Sequence, residues 1–186
     1  MDHRIREATT KTSISLPIFI FLLYTLLLSF THCSVLAHKN TPFVDKICKQ
    51  TPYHALCLKT LLSDPRSAGA DVRGLAIIMV DVIKRDTVSI LSRINELLKK
   101  GGTDPHTRGA LLDCIDKYNA VLKGDVPEAM EALEKGDYKF AEQGATDASL
   151  EARVCEENFE TSPITNMNKL VHHVSLVAAS IVRMLL

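Results

Sequence analysis

Residues 164–186 read ITNMNKLVHHVSLVAASIVRMLL, and this stretch decides the fold class. Its apolar residues recur at alternating steps of three and four, so they line one side of an α-helix. Such a stripe is buried only when partner helices pack along its length. The stripe consists of Ile164, Met167, Val171, Val174, Ala178, Ile181 and Leu185.

A second long helix is predicted between Asp71 and the Gly101-Gly102 pair. Asp71 is a good N-cap residue, and glycine commonly ends a helix. Lys99 and Lys100 are favourably placed in the last turn, where the helix dipole attracts cations. The apolar stripe of this helix comprises Ala76, Val80, Ile83, Thr87, Ile90, Ile94 and Leu97.

Two more helical segments lie between these two. Asp104-Pro105 opens the first, which we expect to close at Gly124 and to continue as a shorter helix over 125–135. Asp137 then caps the second, after a break at Gly136. Their stripes are Leu111, Cys114, Tyr118 and Val121 in the first, and Ala141, Ala145, Ala148, Ala152, Cys155 and Phe159 in the second.

Four striped helices joined by short connections predict an all-α fold, an antiparallel up-down-up-down four-helix bundle over residues 71–186. One long coiled coil is excluded because Gly and Pro interrupt the chain between the stripes. Residues 38–65 are expected to form a short helical hairpin in front of the bundle. Its helices are predicted over 41–48 and from Pro52 to Leu62, with Thr51 as the N-cap of the second.

The first 37 residues are predicted to be a cleavable signal peptide. A basic start precedes an apolar run from Ile14 to Phe30, and Val35 and Ala37 fit a small-residue cleavage site before His38. The alternative is a membrane anchor, for which the run is short. Cleavage removes Cys33 and leaves an even number of cysteines.

The four remaining cysteines indicate disulfides in a secreted protein. Cys114 and Cys155 lie in the stripes of different helices and are placed to meet across the bundle. Cys48 and Cys57 flank the turn of the hairpin and suit a local bond. Spacing alone leaves other pairings open. A metal site is the alternative, but the sequence contains no Cys-x-x-Cys pair.

Composition and motifs exclude several classes of function. Residues 38–186 carry 19 basic and 20 acidic residues and no Trp, which gives no support to nucleic-acid binding. Phosphate-binding loops and hydrolase motifs are absent, so we expect neither an enzyme nor a cofactor. The adjacent His172 and His173 point to different sides of their helix and are interpreted as a solvated face. The acidic residues Glu128, Glu131 and Glu134 are interpreted in the same way.

The order and spacing of several short motifs resemble the plant invertase and pectin methylesterase inhibitor family. They span essentially the whole of residues 38–186, and the resemblance implies a four-helix bundle behind a hairpin, with disulfides Cys48–Cys57 and Cys114–Cys155. The motifs are Cys48-Lys49-Gln50-Thr51-Pro52-Tyr53, Cys57, Leu61-Leu62-Ser63-Asp64-Pro65-Arg66, Asp71, Gly74-Leu75-Ala76, Leu112-Asp113-Cys114, Tyr118 and Cys155.

A second group of residues resembles the invertase-inhibitor branch of that family. In that branch a Pro-Lys-Phe loop enters the sucrose-binding cleft of acid invertase. Lys139 and Phe140 match this motif, whereas Tyr138 stands where Pro is usual. The resemblance therefore implies a target-binding loop of Asp137, Tyr138, Lys139 and Phe140. The other matching segments are Val126-Pro127-Glu128-Ala129, Ala132-Leu133, Lys135-Gly136, Gly144 and residues 181–186.

The residues themselves agree with a binding loop. Gly136-Asp137 breaks one helix and starts another, which places Tyr138 to Phe140 at an exposed end of the bundle. An aromatic beside a cation is typical of an interface anchor. In the alternative interpretation Phe140 belongs to the core beside Ala141, and Lys139 is a solvated charge.

Three functions remain open. The first is a secreted inhibitor of acid invertase in the cell wall or vacuole, with no membrane attachment after cleavage. The second is inhibition of pectin methylesterase on the same scaffold. The third is a non-inhibitory secreted structural protein.

Overall fold

The computed structural model of the protein describes residues 20, 21, 23, 24 and 41–186. The chain divides into two compact units, Met1–Leu36 and Ala37–Leu186. In the first unit the four described residues are helical and exposed. The basic start of the predicted leader, its cleavage site and Cys33 lie outside the described residues, so the leader stays a prediction. No helix of the described part is long and apolar enough to cross a membrane.

The hairpin of the second unit consists of α1 (Thr41–Cys48) and α2 (His54–Leu62). The predicted Cys48–Cys57 disulfide is present, with its Cα atoms 5.5 Å apart. The prediction that Thr51 caps α2 is wrong. Its hydroxyl donates a hydrogen bond back to the carbonyl of Cys48 at 2.8 Å, and Tyr53 takes the N-cap position without a side-chain bond. The second helix therefore begins two residues later than predicted.

The predicted all-α bundle is confirmed. Its members are α3 (Val72–Lys100), α4 (Pro105–Ala120) continued by α5 (Val126–Lys135), α6 (Tyr138–Glu157) and α7 (Thr165–Arg183). Two of the predicted N-caps form as expected: the Asp71 carboxylate accepts from the Gly74 N–H at 2.7 Å, and the Asp104 carboxylate accepts from the Thr107 N–H at 2.9 Å. The α7 helix packs against both α3 and α6, and its apolar stripe lies in the core.

The prediction that Gly124 closes a helix is wrong. A π-helical turn over Val121–Asp125 carries α4 directly into α5. Pro127 follows this turn, and in a regular α-helix its ring would clash with the carbonyl four residues earlier. That carbonyl belongs to Lys123, which lies inside the wider π turn. The wider π turn therefore accommodates Pro127 without breaking the helix, and α4 and α5 together form one member of the bundle.

The second disulfide, Cys114–Cys155, joins α4 to α6 with its Cα atoms 4.9 Å apart, as predicted. A buried polar chain lies beside it: the Tyr118 hydroxyl donates to Asn168 Oδ1 at 2.5 Å, and Asn168 Nδ2 donates to Glu156. Burial raises the pKa of Tyr118 above its ordinary value, so this phenol remains a donor. The chain ties α4, α6 and α7 together at the level of the disulfide.

The expectation that His172 and His173 form a solvated face is wrong. Both side chains are half-buried. His172 Nδ1 lies 3.0 Å from both the carbonyl oxygen and the hydroxyl oxygen of Ser149. The His173 ring stacks on Tyr53 with centroids 3.8 Å apart. Through this stack the turn of the hairpin contacts α7. Burial lowers the pKa of His173.

Candidate target-binding site

The connection between α5 and α6 is a corner of only two residues, Gly136 and Asp137. Gly136 has φ 80° and ψ 13°, in the left-handed region that favours glycine. The Asp137 N–H donates to the carbonyl of Ala132 at 2.9 Å, which closes the end of α5. The predicted helix break is thus present, and its shortness fixes the direction in which α6 leaves.

Asp137 starts α6 through its backbone rather than through its side chain. Its carbonyl accepts hydrogen bonds from the N–H groups of Phe140, at 3.0 Å, and Ala141, at 3.2 Å. The carboxylate makes no capping bond, so the prediction that it caps the helix is wrong. The cause is the backbone: ψ is 62° at Asp137 but 155° at Asp104, where the side chain does cap. The Asp137 carboxylate is left exposed.

The first turn of α6 divides its side chains between core and solvent. Tyr138 is half-buried and packs against the core. Phe140 is 58% exposed, and Lys139 is exposed and forms no ion pair within the part of the chain that the structure describes. The interpretation of Phe140 as a core residue is therefore excluded. The corner presents a cation and an aromatic ring side by side to solvent.

Tyr138 occupies the first helical position, where Pro is usual in the invertase-inhibitor branch. Its N–H makes no hydrogen bond among the described residues, so a Pro at this position would remove none. The Tyr ring instead contributes packing against the core. Compared with Pro, Tyr138 therefore lacks a fixed φ angle, but its side chain packs against the core.

Two contacts hold the corner against the bundle. A Cβ atom on Gly144 would lie 2.7 Å from the carbonyl oxygen of Asp125 and 3.1 Å from Ala129 Cβ, so only glycine lets α6 approach the π turn this closely. In addition, the Arg183 guanidinium near the end of α7 bonds the carboxylate of Glu142 in the first turns of α6. Sequence patterns did not single out this pair, because its residues lie 41 positions apart.

An acidic cluster lies behind the corner, where the π turn faces α6. Burial, together with the charges of Asp147, Glu151 and Glu128, raises the pKa of Asp125 to about 6. Among the described residues no hydrogen bond reaches Asp125 Oδ2 or Glu151 Oε2, although Lys117 lies 3.4 Å from the latter. No group of three or more described His, Cys, Asp or Glu residues is arranged to hold a metal ion.

The disulfide-braced helical bundle leaves a cation and an aromatic ring exposed at a helix corner, an arrangement typical of residues that anchor one protein to another. The chain belongs to the plant invertase/pectin methylesterase inhibitor family, which matches residues 42–181. The family consists of proteinaceous enzyme inhibitors rather than enzymes, and it agrees with the resemblance inferred from the motifs.

Two relatives represent the two branches. The chain is 42% identical over 139 residues to cell wall/vacuolar inhibitor of fructosidase 1 of Arabidopsis thaliana, a match that spans 74% of this chain and 66% of that relative's length. It is 32% identical over 133 residues to the pectinesterase inhibitor of Actinidia deliciosa, which covers 72% of this chain and 70% of the relative.

The fold is also that of a solved member of the family. A mutant form of a pectin methylesterase inhibitor from Arabidopsis superposes with a TM-score of 0.65 at 25% identity. The superposition covers 74% of this chain and 93% of that structure.

Proposed function

We propose that the protein is a secreted inhibitor of plant acid invertase that plugs the sucrose-binding cleft with the α5–α6 corner. The observation that carries the proposal is the outward display of Lys139 and Phe140 on a rigid two-residue corner. The relative named as a fructosidase inhibitor supports the choice of target. The corresponding site of action is the cell wall or the vacuole. The chain would reach it through the secretory pathway, with residues 1–37 removed as a signal peptide.

The chemistry of the corner fits a glycosidase cleft. Glycosidases cleave with a pair of carboxylates that flank the scissile bond. Lys139 has no partner ion in the described chain, so it can pair with those carboxylates without breaking an internal contact. Phe140 supplies an apolar anchor beside it. Because the corner is held by Gly144 and by the Arg183–Glu142 pair, little conformational freedom is lost on binding.

The test uses protein secreted from the full chain, titrated against acid invertase with sucrose as substrate. Lys139→Ala and Phe140→Ala should each weaken inhibition about thirtyfold, equivalent to about 2 kcal/mol. Matched controls are Lys84→Ala, an exposed cation on α3, and Leu112→Ala, an exposed apolar residue on α4; both should inhibit like wild type. Inhibition should be competitive with sucrose.

Circular dichroism of each variant separates lost binding from lost structure. Folded Lys139→Ala and Phe140→Ala proteins that inhibit as well as wild type would show that the corner is not the inhibitory element. N-terminal sequencing of the secreted protein checks the leader at the same time and should start near His38. A mature protein that still contains the whole run from Ile14 to Phe30 would contradict cleavage and indicate a membrane anchor.

Inhibition of pectin methylesterase is the second candidate, because one relative and the solved structure carry that name. The same preparation assayed against pectin methylesterase decides between the two. We expect little effect, since the Lys139-Phe140 motif matches the invertase-inhibitor branch. Strong inhibition of pectin methylesterase without inhibition of invertase would reverse the assignment.

A further inference from the structure

A hollow of about 420 Å³ lies on the outer surface of the π turn and α5, directly beside the corner. Phe140 and Asp137 line it from the corner, and Pro127 and Glu128 line it from the helix. The hollow is therefore continuous with the surface proposed to bind invertase. Any partner that receives Phe140 also comes to lie over this hollow.

The charges around the hollow are unequally distributed. Glu131 and Lys135 form an i, i+4 ion pair and neutralise each other. Glu128 and Asp137 make no ion pair or side-chain hydrogen bond within residues 41–186. The other cation, Lys123, lies in the π turn, five residues before Glu128. The lining as a whole carries three carboxylates, of Glu128, Glu131 and Asp137, against two cations, so the hollow has an excess of one negative charge.

We propose that this hollow receives a basic side chain from the rim of the invertase cleft when the corner is inserted. The proposal rests on the function proposed above and extends it to a second contact. The aliphatic stem of an arginine or lysine would pack on Pro127 and on the Phe140 ring, where a cation is also attracted by the aromatic face. Its charged end would meet the carboxylates of Glu128 and Asp137.

Two contacts of opposite sign would fix the orientation of the complex. Lys139 carries a positive charge into the acidic cleft, and the hollow accepts a positive charge from the rim. Charge patterns of this kind select partners and register more than they add affinity. Glu128, interpreted from the sequence as part of a solvated face, is thereby assigned as a specificity-determining residue.

The experiment compares two identical charge reversals on α5. Glu128→Lys changes the hollow, whereas Glu134→Lys changes an exposed carboxylate on the same helix that does not line it. The two positions lie about 120° apart around the helix axis. We expect Glu128→Lys to weaken invertase inhibition about tenfold at low salt, with a smaller loss at high salt, and Glu134→Lys to change it less than twofold.

Glu128→Gln should fall between wild type and Glu128→Lys, because it removes the charge without reversing it. Equal losses for Glu128→Lys and Glu134→Lys would overturn the proposal, since they would reflect only the net charge of the surface. If Lys139→Ala weakens inhibition and Glu128→Lys does not, the hollow is not a contact and the proposed function still stands. Failure of the wild type to inhibit invertase would overturn both.

Discussion

The corner between α3 and α4 and the corner between α5 and α6 are made of the same residue types and work differently. Each begins with a glycine at positive φ and ends with an aspartate before a helix. The first is four residues long, and Asp104 reaches an extended ψ that lets its carboxylate cap α4. The second is two residues long, and Asp137 is held at ψ 62° with its carboxylate free.

The difference shows that the length of a connection, rather than its residue types, decides which groups it leaves for other molecules. In the longer corner the aspartate carboxylate accepts a hydrogen bond from the backbone of the helix that it caps. In the shorter corner the backbone alone starts the helix, and the carboxylate, the lysine and the aromatic ring all remain available.

The largest effect is expected at the glycines that follow each corner. Gly144→Ala should lower the free energy of unfolding by about 2 kcal/mol, because its Cβ would press on backbone atoms of Asp125 and Ala129 that cannot move aside. Gly109→Ala, on the helix after the other corner, meets nothing within 4 Å. It should stabilise the protein by about 0.5–1 kcal/mol. Urea unfolding measures both, and a neutral Gly144→Ala would contradict the close approach.

A smaller effect is expected from pH through Asp125, in the π turn behind the shorter corner. Its pKa is about 6 in the folded protein, above the ordinary value of 3.8. The folded state therefore binds a proton at Asp125 more tightly than the unfolded state, and the contribution of Asp125 to the free energy of unfolding should rise as pH falls from about 7 to about 4. Because the side chain is half-exposed, solvent screening should reduce the gain to about 1 kcal/mol.

The control for this effect is a matched pair of neutralising changes. Asp125→Asn should flatten the rise between pH 7 and pH 4, whereas Asp116→Asn, an exposed carboxylate on α4, should leave it in place. Thermal melts at each pH provide the measurement. A melting-temperature profile of Asp125→Asn that runs parallel to that of the wild type over this interval would show that Asp125 does not take up a proton there.

The smallest effect separates the two aspartates themselves. Asp104→Ala removes a capping bond to the Thr107 N–H and should lower the melting temperature by a few degrees. That bond lowers the pKa of Asp104, so the difference from wild type should vanish as pH falls through this pKa and the carboxylate protonates. Asp137→Ala should leave the melting temperature unchanged, as its side chain caps nothing. Equal losses at both positions would mean that Asp137 does cap α6 in solution.

Much of the fold could be predicted because it depends on periodicity and on local punctuation. Apolar stripes specified which faces meet, and Asp71, Gly101 and Asp104 marked helix ends by chemistry that acts within four residues. The Cys114–Cys155 bond followed from the stripe positions of its cysteines. These features are written in neighbouring residues and need no knowledge of the rest of the molecule.

The errors occurred where distant or geometric constraints outweigh local chemistry. Thr51 has a side chain typical of an N-cap, but its hydroxyl donates a hydrogen bond to the Cys48 carbonyl at the end of the preceding helix instead. Glycine commonly ends a helix, but Gly124 lies within the π turn that accommodates Pro127, so the helix continues through it. His173 stacks on Tyr53, which lies about 120 residues earlier along the chain. The spacing of apolar residues within one helix cannot predict such a distant contact. At the corner, the sequence located Lys139 and Phe140 correctly at the surface, whereas the Arg183–Glu142 support required the structure.

The shortness of the α5–α6 corner also affects how easily a protease can cut the chain there. Proteases nick exposed, flexible loop tips, where several consecutive residues can be drawn out into an extended strand. Lys139 is a cleavable residue in an exposed position, but it already belongs to the first turn of α6, and the preceding helix ends at Lys135, only four residues earlier. Cutting there would require that turn and the Glu142–Arg183 pair to open first. The residues that we propose bind invertase are in this way protected from cleavage by proteases.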